Sequence, residues 1–255
     1  MTIDNQFGEH PFPGFDTDFE VLPALAEPTS KEPHYTNHRS RLRARFMTAG
    51  AISLADYELL ELILFRAIPR RDVKPLAKRM LEEFGDFNRV ISASTARLTA
   101  LQGVGEAVVQ ELKIVEAAAQ RLAQSKVLGK DVVSSWSQLM TYCKTVMAHR
   151  DTEQFRILFL DRKNVLIADE AQAEGTIDHV PVYPREVAKR ALELNATAVI
   201  LVHNHPSGDP SPSDEDIAMT KKIVAATGAL GITVHDHIVI GKESDASFRA
   251  SGLLD

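Results

Sequence analysis

Two histidines one residue apart, His203 and His205, are followed by Ser213 and Asp216. Two imidazoles and a carboxylate suffice as the protein ligands of a catalytic zinc, because three protein ligands leave a fourth tetrahedral position for water. The ion would bring that water's pKa down to about 7 and polarise a substrate carbonyl. Nitrogen and oxygen donors without sulfur suit zinc best, with other transition metals possible.

The flanking residues say how such a set is brought together. Ala198-Val199-Ile200-Leu201-Val202 is short, apolar and rich in branched side chains, and it predicts a buried strand. Side chains two apart on a strand share a face, so His203 and His205 point the same way where the strand ends. Pro206, Gly208 and Pro210 turn the chain. Ser213-Asp214-Glu215-Asp216 opens a helical pattern, with Asp216 in the first turn, where a loop can swing it back beside the histidines. Blander readings exist. Two strand histidines also fit ordinary core or surface positions, and Ser213 with Asp216 fits a capping box. Capping and ligation are compatible, since Ser213 can cap while Asp216 ligates.

The full pattern, H-x-H, seven residues (Pro206 to Pro212), Ser, two residues, Asp, resembles the JAMM (MPN-plus, JAB) metalloprotease motif. The variant His203-Asn204-His205-Pro206-Ser207-Gly208-Asp209-Pro210 is similar to the RadC family (UPF0758). So are Tyr183-Pro184-Arg185-Glu186-Val187 upstream and Asp236-His237-Ile238-Val239-Ile240-Gly241 downstream. This likeness runs from about Arg39 to the C-terminus. It implies one Zn2+ held by His203, His205 and Asp216, with Ser213 donating to the oxyanion, a contribution on the order of 3 kcal/mol in such sites. It also implies a glutamate general base, which in many JAMM proteases lies some forty or more residues before H-x-H, near the first strand. Glu153, Glu170, Glu174 and Glu186 are available. Glu186, in the Pro-Arg-Glu stretch, is the first choice, with Glu170 or Glu174 next. The competing role for Glu186 is complementing a helix dipole. A second H-x-H, His235 and His237, lacks a third ligand at suitable spacing, so packing or orienting a zinc ligand is expected of it. His149 and His179 read as surface residues.

Composition sets the wider bounds. The 255 residues suffice for one large or two small domains, and 44% hydrophobic with 25% charged residues is ordinary for a soluble globular protein. The single cysteine, Cys143, cannot form an internal disulfide. With no signal peptide or membrane span in the sequence, a cytoplasmic location is expected. The net charge of −6 is unevenly distributed. Residues 1–37 carry seven acids against one lysine, 38–126 carry fifteen Lys and Arg against ten acids, and 127–255 carry thirteen against eighteen. Such asymmetry suggests segments with different partners.

The pattern therefore divides into a disordered or loosely ordered tail (1–36), a helical domain (37–126) and a zinc hydrolase domain (127–255). Arg39, Arg41, Arg43 and Arg45 could grip phosphates or form a solvated helix face. Helices are predicted over 57–65, 72–84, 94–101 and 107–125. Leu98 to Glu106, turning at Gly103 and Gly105, resembles a helix-hairpin-helix, whose backbone N–H groups approach a DNA phosphate. Glu106 stands where Lys or Arg would favour that contact, and a tight turn needing glycine explains the same residues. A linker is predicted at 126–131, helices at 135–148, 184–194 and 216–227, strands at 155–161, 165–168 and 232–240, and a turn or bulge at 175–177. The fold class expected is α/β: a JAMM-like (cytidine deaminase-like) mixed sheet flanked by helices, after a small all-α domain. The expected activity is metal-assisted hydrolysis of a peptide or protein conjugate. The rival is a non-enzymatic DNA-associated protein of repair or recombination. A zinc nuclease, suggested by the letters H-N-H, is disfavoured because that class needs widely spaced ligands. The sequence does not fix the oligomeric state.

Overall fold

The computed structural model describes residues 34–174 and 182–254. The tail expected over 1–36 lies outside them except for its last three residues, which begin a helix. The turn expected at 175–177 and His179 also lie outside them.

Seven elements build the helical region: α1 (His34–Ala49), a 3-10 turn (Ala51–Ser53), α2 (Asp56–Ala67), α3 (Lys74–Phe84), α4 (Phe87–Ser92), α5 (Thr95–Ala100) and α6 (Glu106–Gln124). Leu60, Leu64, Met80, Leu98 and Leu112 are fully buried at its centre. Local chemistry explains the breaks. Pro75 occupies the first turn of α3, where a missing N–H costs nothing, and Gly85 ends the helix at φ 99°. Asp86 caps α4 by accepting from the Arg89 N–H, and Ser94 caps α5 by accepting from the Arg97 N–H. Helix α4, six residues long like the anticipated α5, was not anticipated, although Asp86 supplies its cap.

The remainder is a five-stranded mixed sheet with helices on both faces. Its elements are α7 (Trp136–Met147), β1 (Gln154–Leu160), β2 (Leu166–Glu174), α8 (Pro184–Glu193), β3 (Ala198–Asn204), α9 (Asp214–Gly228), β4 (Thr233–Ile240) and β5 (Asp245–Ser247). The strand order is β2-β1-β3-β4-β5, with β3 and β4 parallel and the other pairs antiparallel. This is the α/β architecture expected. Strand β2 runs six residues beyond the predicted 165–168, through the polar Asp169–Glu174, because pairing with β1 rather than apolar content extends it. The expected linker at 126–131 is tied to the sheet. Val127 is buried, and Gly129 and Lys130 exchange backbone hydrogen bonds with Leu166.

Strand parity decides which residues meet. Leu158, Leu160, Ile200 and Val202 face α7. Phe155, Ile157, Val199 and Leu201 face the other way, into a core shared with Val187 and Ala191 of α8 and Ile223 of α9. His203 continues the 199–201 face, so it emerges on the side that α9 covers. Strand β4 carries a bulge. Val199 pairs with Val234 but Ile200 pairs with Asp236, leaving His235 as the extra residue. The bulge reverses parity, so Val234 and His237 face the same layer. Among the described residues no helix is long and apolar enough to cross a membrane.

Candidate metal centre

Parity and a cap bring His203, His205 and Asp216 together. His203 is fully buried and Asp216 nearly so, and their ligand atoms and that of His205 all lie within 4.8 Å of one another. His203 Nε2 is 3.0 Å from His205 Nε2 and 3.2 Å from Asp216 Oδ1, and His205 Nε2 is 3.5 Å from Asp216 Oδ2. Atoms bound at 2.0–2.1 Å to a tetrahedral ion stand about 3.3 Å apart, so the three edges fit a zinc-sized cation. The donor set agrees: His205 Nδ1 lies 2.8 Å from the Asp209 carbonyl, an acceptor, so Nδ1 donates there and the Nε2 lone pair faces the group.

The loop that carries this geometry is held at three points. Ser213 caps α9 in a capping box. Its backbone N–H and its hydroxyl donate to Asp216 Oδ2 at 2.8 and 2.6 Å, and the Asp216 N–H donates back to Ser213 Oγ at 3.2 Å. The His205 N–H donates to the Ile240 carbonyl at 3.0 Å, prolonging the parallel ladder beyond β3. Gly208 adopts φ 96°, and its carbonyl oxygen would lie only 2.4 Å from a Cβ on Gly241, so position 241 must be glycine.

Charge follows from these contacts. Burial alone would push the Asp216 carboxyl up, but the neighbouring His203 and His205 rings and the Ser213 hydroxyl outweigh it and hold Asp216 well below the usual carboxylate range. His205 is raised, chiefly by its hydrogen bond to Asp216 against the opposing effect of burial, with the Asp209 carbonyl and the charge of Glu153 adding to it. His237 is fully buried and held well below the ordinary histidine value by desolvation.

His237 is the residue that the H-x-H at 235–237 contributes. Its Nε2 lies 2.7 Å from His203 Nδ1 and its Nδ1 lies 2.6 Å from Thr220 Oγ1. His235, displaced by the bulge, bonds Asn164 Oδ1 at 2.7 Å instead. Nothing in the sequence singled out Thr220 beyond its place on α9. Asn204, the middle letter of H-N-H, also escaped notice. Its Oδ1 accepts the Gln154 N–H at 2.9 Å, and its amide donates to the Thr152 carbonyl at 3.1 Å. Phe155 pairs with His203, so continuing that antiparallel register by two residues sets Glu153 opposite His205.

The remaining candidates fall elsewhere. Glu186 sits in the first turn of α8, half exposed, accepting from Arg185 Nε at 3.2 Å. Glu170 forms a two-oxygen ion pair with Arg190. Arg39 is buried, stacked over Phe65 and donating to the Ile68 carbonyl at 2.6 Å, so it serves the helical core. Arg45 pairs with Glu58, whereas Arg41 and Arg43 are exposed. The Gly103 turn has φ 93°, with Arg79 of α3 alongside it, and Gly105 is the N-cap of α6. His149 is half-buried rather than at the surface.

A mixed sheet between helices, with an H-x-H strand end facing a capped aspartate, defines a JAB-type α/β domain. The match to known families agrees. Residues 133–253 match the RadC-like JAB domain, and residues 34–109 match the UPF0758 N-terminal family. A UPF0758 protein of Ruegeria pomeroyi is 66% identical over 218 residues, covering 86% of this chain and 97% of the relative. One of Rhodobacter capsulatus is 70% identical over 213 residues, covering 84% and 100%. The chain belongs to the UPF0758 family of RadC-like proteins.

Proposed function

We propose that the chain is a zinc-dependent hydrolase of the JAMM type that cleaves peptide or isopeptide bonds. The observation that carries this reading is the convergence of His203, His205 and Asp216 at edges of 3.0–3.5 Å, matching a tetrahedral ion. Zinc held there supplies Lewis acidity, polarising a substrate carbonyl and making water a stronger acid. Asp216, kept ionised, balances the cation's charge. His203 and His205 present nitrogen donors, His203 from the buried end of β3. Ser213, whose hydroxyl rests on Asp216 Oδ2, is assigned the oxyanion contact that the motif implies.

The general base in this reading is Glu153 rather than Glu186. Glu153 precedes β1, it is half-buried, and its charge acts on His205. Its backbone neighbours on both sides are bonded to Asn204. There it can take the proton of the attacking water and pass it to the leaving amine. Glu186 instead complements the N-terminal dipole of α8.

The test is elemental analysis of the purified chain together with a survey of peptides and protein conjugates. Wild type should carry about one zinc per chain. Changing His203 and His205 together to Ala should abolish it. Glu153→Gln should keep the metal and lose about a hundredfold or more in turnover. Zinc retained by the double variant, or turnover retained by Glu153→Gln, would refute the respective assignment.

A second reading, DNA association through the helical region, has one observation in its favour. Arg79 lies beside the Gly103 turn and offers the cation that Glu106 does not. Salt-sensitive retardation of labelled DNA that weakens in Arg79→Ala would support it. No retardation at low salt would dismiss it.

A further inference from the structure

We propose that Thr220 and His237 are positioning residues that hold His203 in the tautomer protonated on Nδ1, so that its Nε2 lone pair is offered to the ion. The inference rests on the metal reading above, and it follows from hydrogen-bond distances together with the burial of His237. The Asp216 carbonyl oxygen can only accept, and the Thr220 hydroxyl lies 2.6 Å from it. The single hydroxyl proton is therefore directed at that carbonyl. Thr220 Oγ1 is also 2.6 Å from His237 Nδ1. With its proton engaged, the oxygen accepts there, and His237 Nδ1 carries hydrogen.

A neutral imidazole has one N–H, so His237 Nε2 is an acceptor. His237 has every reason to be neutral, with no exposure to solvent and its ring set between Phe155 at 5.5 Å and Phe248 at 4.5 Å. His203 Nδ1, 2.7 Å from His237 Nε2, must then donate. What remains on His203 is the Nε2 lone pair, 3.0 Å from His205 Nε2 and turned to where the ion would sit.

The circuit starts at the backbone of one proposed ligand and ends on the ring of another. It uses the bulge of β4, without which His237 would turn to the other face of the sheet. A metal-bound histidine commonly donates its second N–H to a carboxylate or carbonyl. Here the acceptor is another histidine, which could equally act as a donor, and the threonine removes that choice. Reversing both tautomers would put hydrogen on His203 Nε2, where it competes with the metal.

The experiment uses the metal-free full chain labelled with nitrogen-15 in its histidines. Long-range proton–nitrogen spectra identify the tautomer of each ring. Wild type and Thr220→Ser should show hydrogen on Nδ1 of both His203 and His237. Thr220→Val matches the shape but gives the buried His237 Nδ1–H no acceptor. It should shift both rings to the Nε2–H form and weaken zinc binding about tenfold to a hundredfold, while Thr220→Ser keeps wild-type affinity. A wild-type spectrum with hydrogen on His203 Nε2 overturns the proposal whether or not any variant folds. So does a folded Thr220→Val with unchanged tautomers and affinity. If the wild type binds no zinc, the metal reading fails, yet the metal-free spectrum still decides the tautomer.

Discussion

Asn204 accepts the backbone N–H of Gln154 on its side-chain oxygen at 2.9 Å, and so the end of the strand that carries His203 is fastened to the segment that carries Glu153. The amide's other end donates to the Thr152 carbonyl, and Asn204 is almost fully buried. Both partners are main-chain groups that would lose this hydrogen bond with it. Asn204→Ala should therefore lose about 1–3 kcal/mol of stability, read from denaturant melts. Its more telling effect should be on catalysis. A displaced base of even about 1 Å can cost about a hundredfold, so turnover should fall far more than zinc content. Zinc lost together with turnover would show that Asn204 supports the ligands and not the base.

Gly241 and Gly228 make a contrasting pair. A Cβ at 241 would stand 2.4 Å from the Gly208 carbonyl oxygen, and backbone on both sides leaves little room to yield. Gly241→Ala should push the 206–210 loop outward, take the Asp209 carbonyl away from His205 Nδ1, and weaken zinc binding. The overpacking should cost about 1–3 kcal/mol. Gly228, in the last turn of α9, meets nothing within 4 Å, so Gly228→Ala should leave zinc binding alone and stabilise by about 0.5–1 kcal/mol. Zinc titrations and thermal melts on the two variants check both outcomes. Normal affinity in Gly241→Ala would mean that the loop does not orient His205.

Much of this site was legible in the sequence, for a definite reason. The proposed ligands sit where local rules are strongest: an apolar strand, a Pro and Gly turn, and a Ser-x-x-Asp helix start. Each is settled by residues a few positions away. The helices around Leu60, Met80 and Leu112 were legible because their apolar spacing persists for several turns. What was missed is non-local. The bulge at His235 comes from the pairing of β4 with β3, and alternation along one strand cannot reveal it, so His235 and His237 looked equivalent. Asn204 reaches the main chain of Thr152 and Gln154 through strand register across some fifty residues. Arg39 counted as one of four surface-type cations, yet it folds inward because the Ile68 and Arg71 carbonyls await donors. The polar half of β2 was left out of the predicted strand because its pairing with β1 has no signature in its own residues.

Proton release on metal uptake should report His205. In the metal-free fold its affinity for a proton is raised, chiefly by Asp216. A group raised in this way is protonated below its shifted pKa and neutral above it, and zinc accepts only the neutral ring. Zinc binding should thus expel a proton from His205 at about pH 6, below even the ordinary histidine value of about 6.5, and progressively less of one as the pH climbs through the raised value. Calorimetric titrations in buffers of different ionisation enthalpy count the protons. Asp216 stays ionised throughout this window and His237 stays neutral, so neither adds to the change. The same linkage fixes a stability trend. The His205–Asp216 pair steadies the metal-free chain most at low pH and loses that effect as pH rises through the raised value, so the thermal gain from adding zinc should grow with pH. A gain that shrinks with pH would contradict the pairing.

Cys143 offers a probe of the opposite face of the sheet. It is buried on α7 among Leu139, Met147 and Leu158, and burial pushes its thiol up to about 12, with the charge of Asp169 adding to the shift. Only the thiolate attacks a disulfide reagent. At about pH 8 the native chain should therefore react extremely slowly, and urea should release reactivity of one thiol per chain, in step with the loss of helical signal. Cys143→Ser places a hydroxyl in that apolar layer and should cost about 1–3 kcal/mol, while leaving zinc affinity unchanged because α7 and the His203–Asp216 cluster lie on opposite faces. Rapid labelling of the native chain would mean that α7 opens from the sheet without global unfolding. That result would assign α7 to the weakest part of the domain rather than to its core.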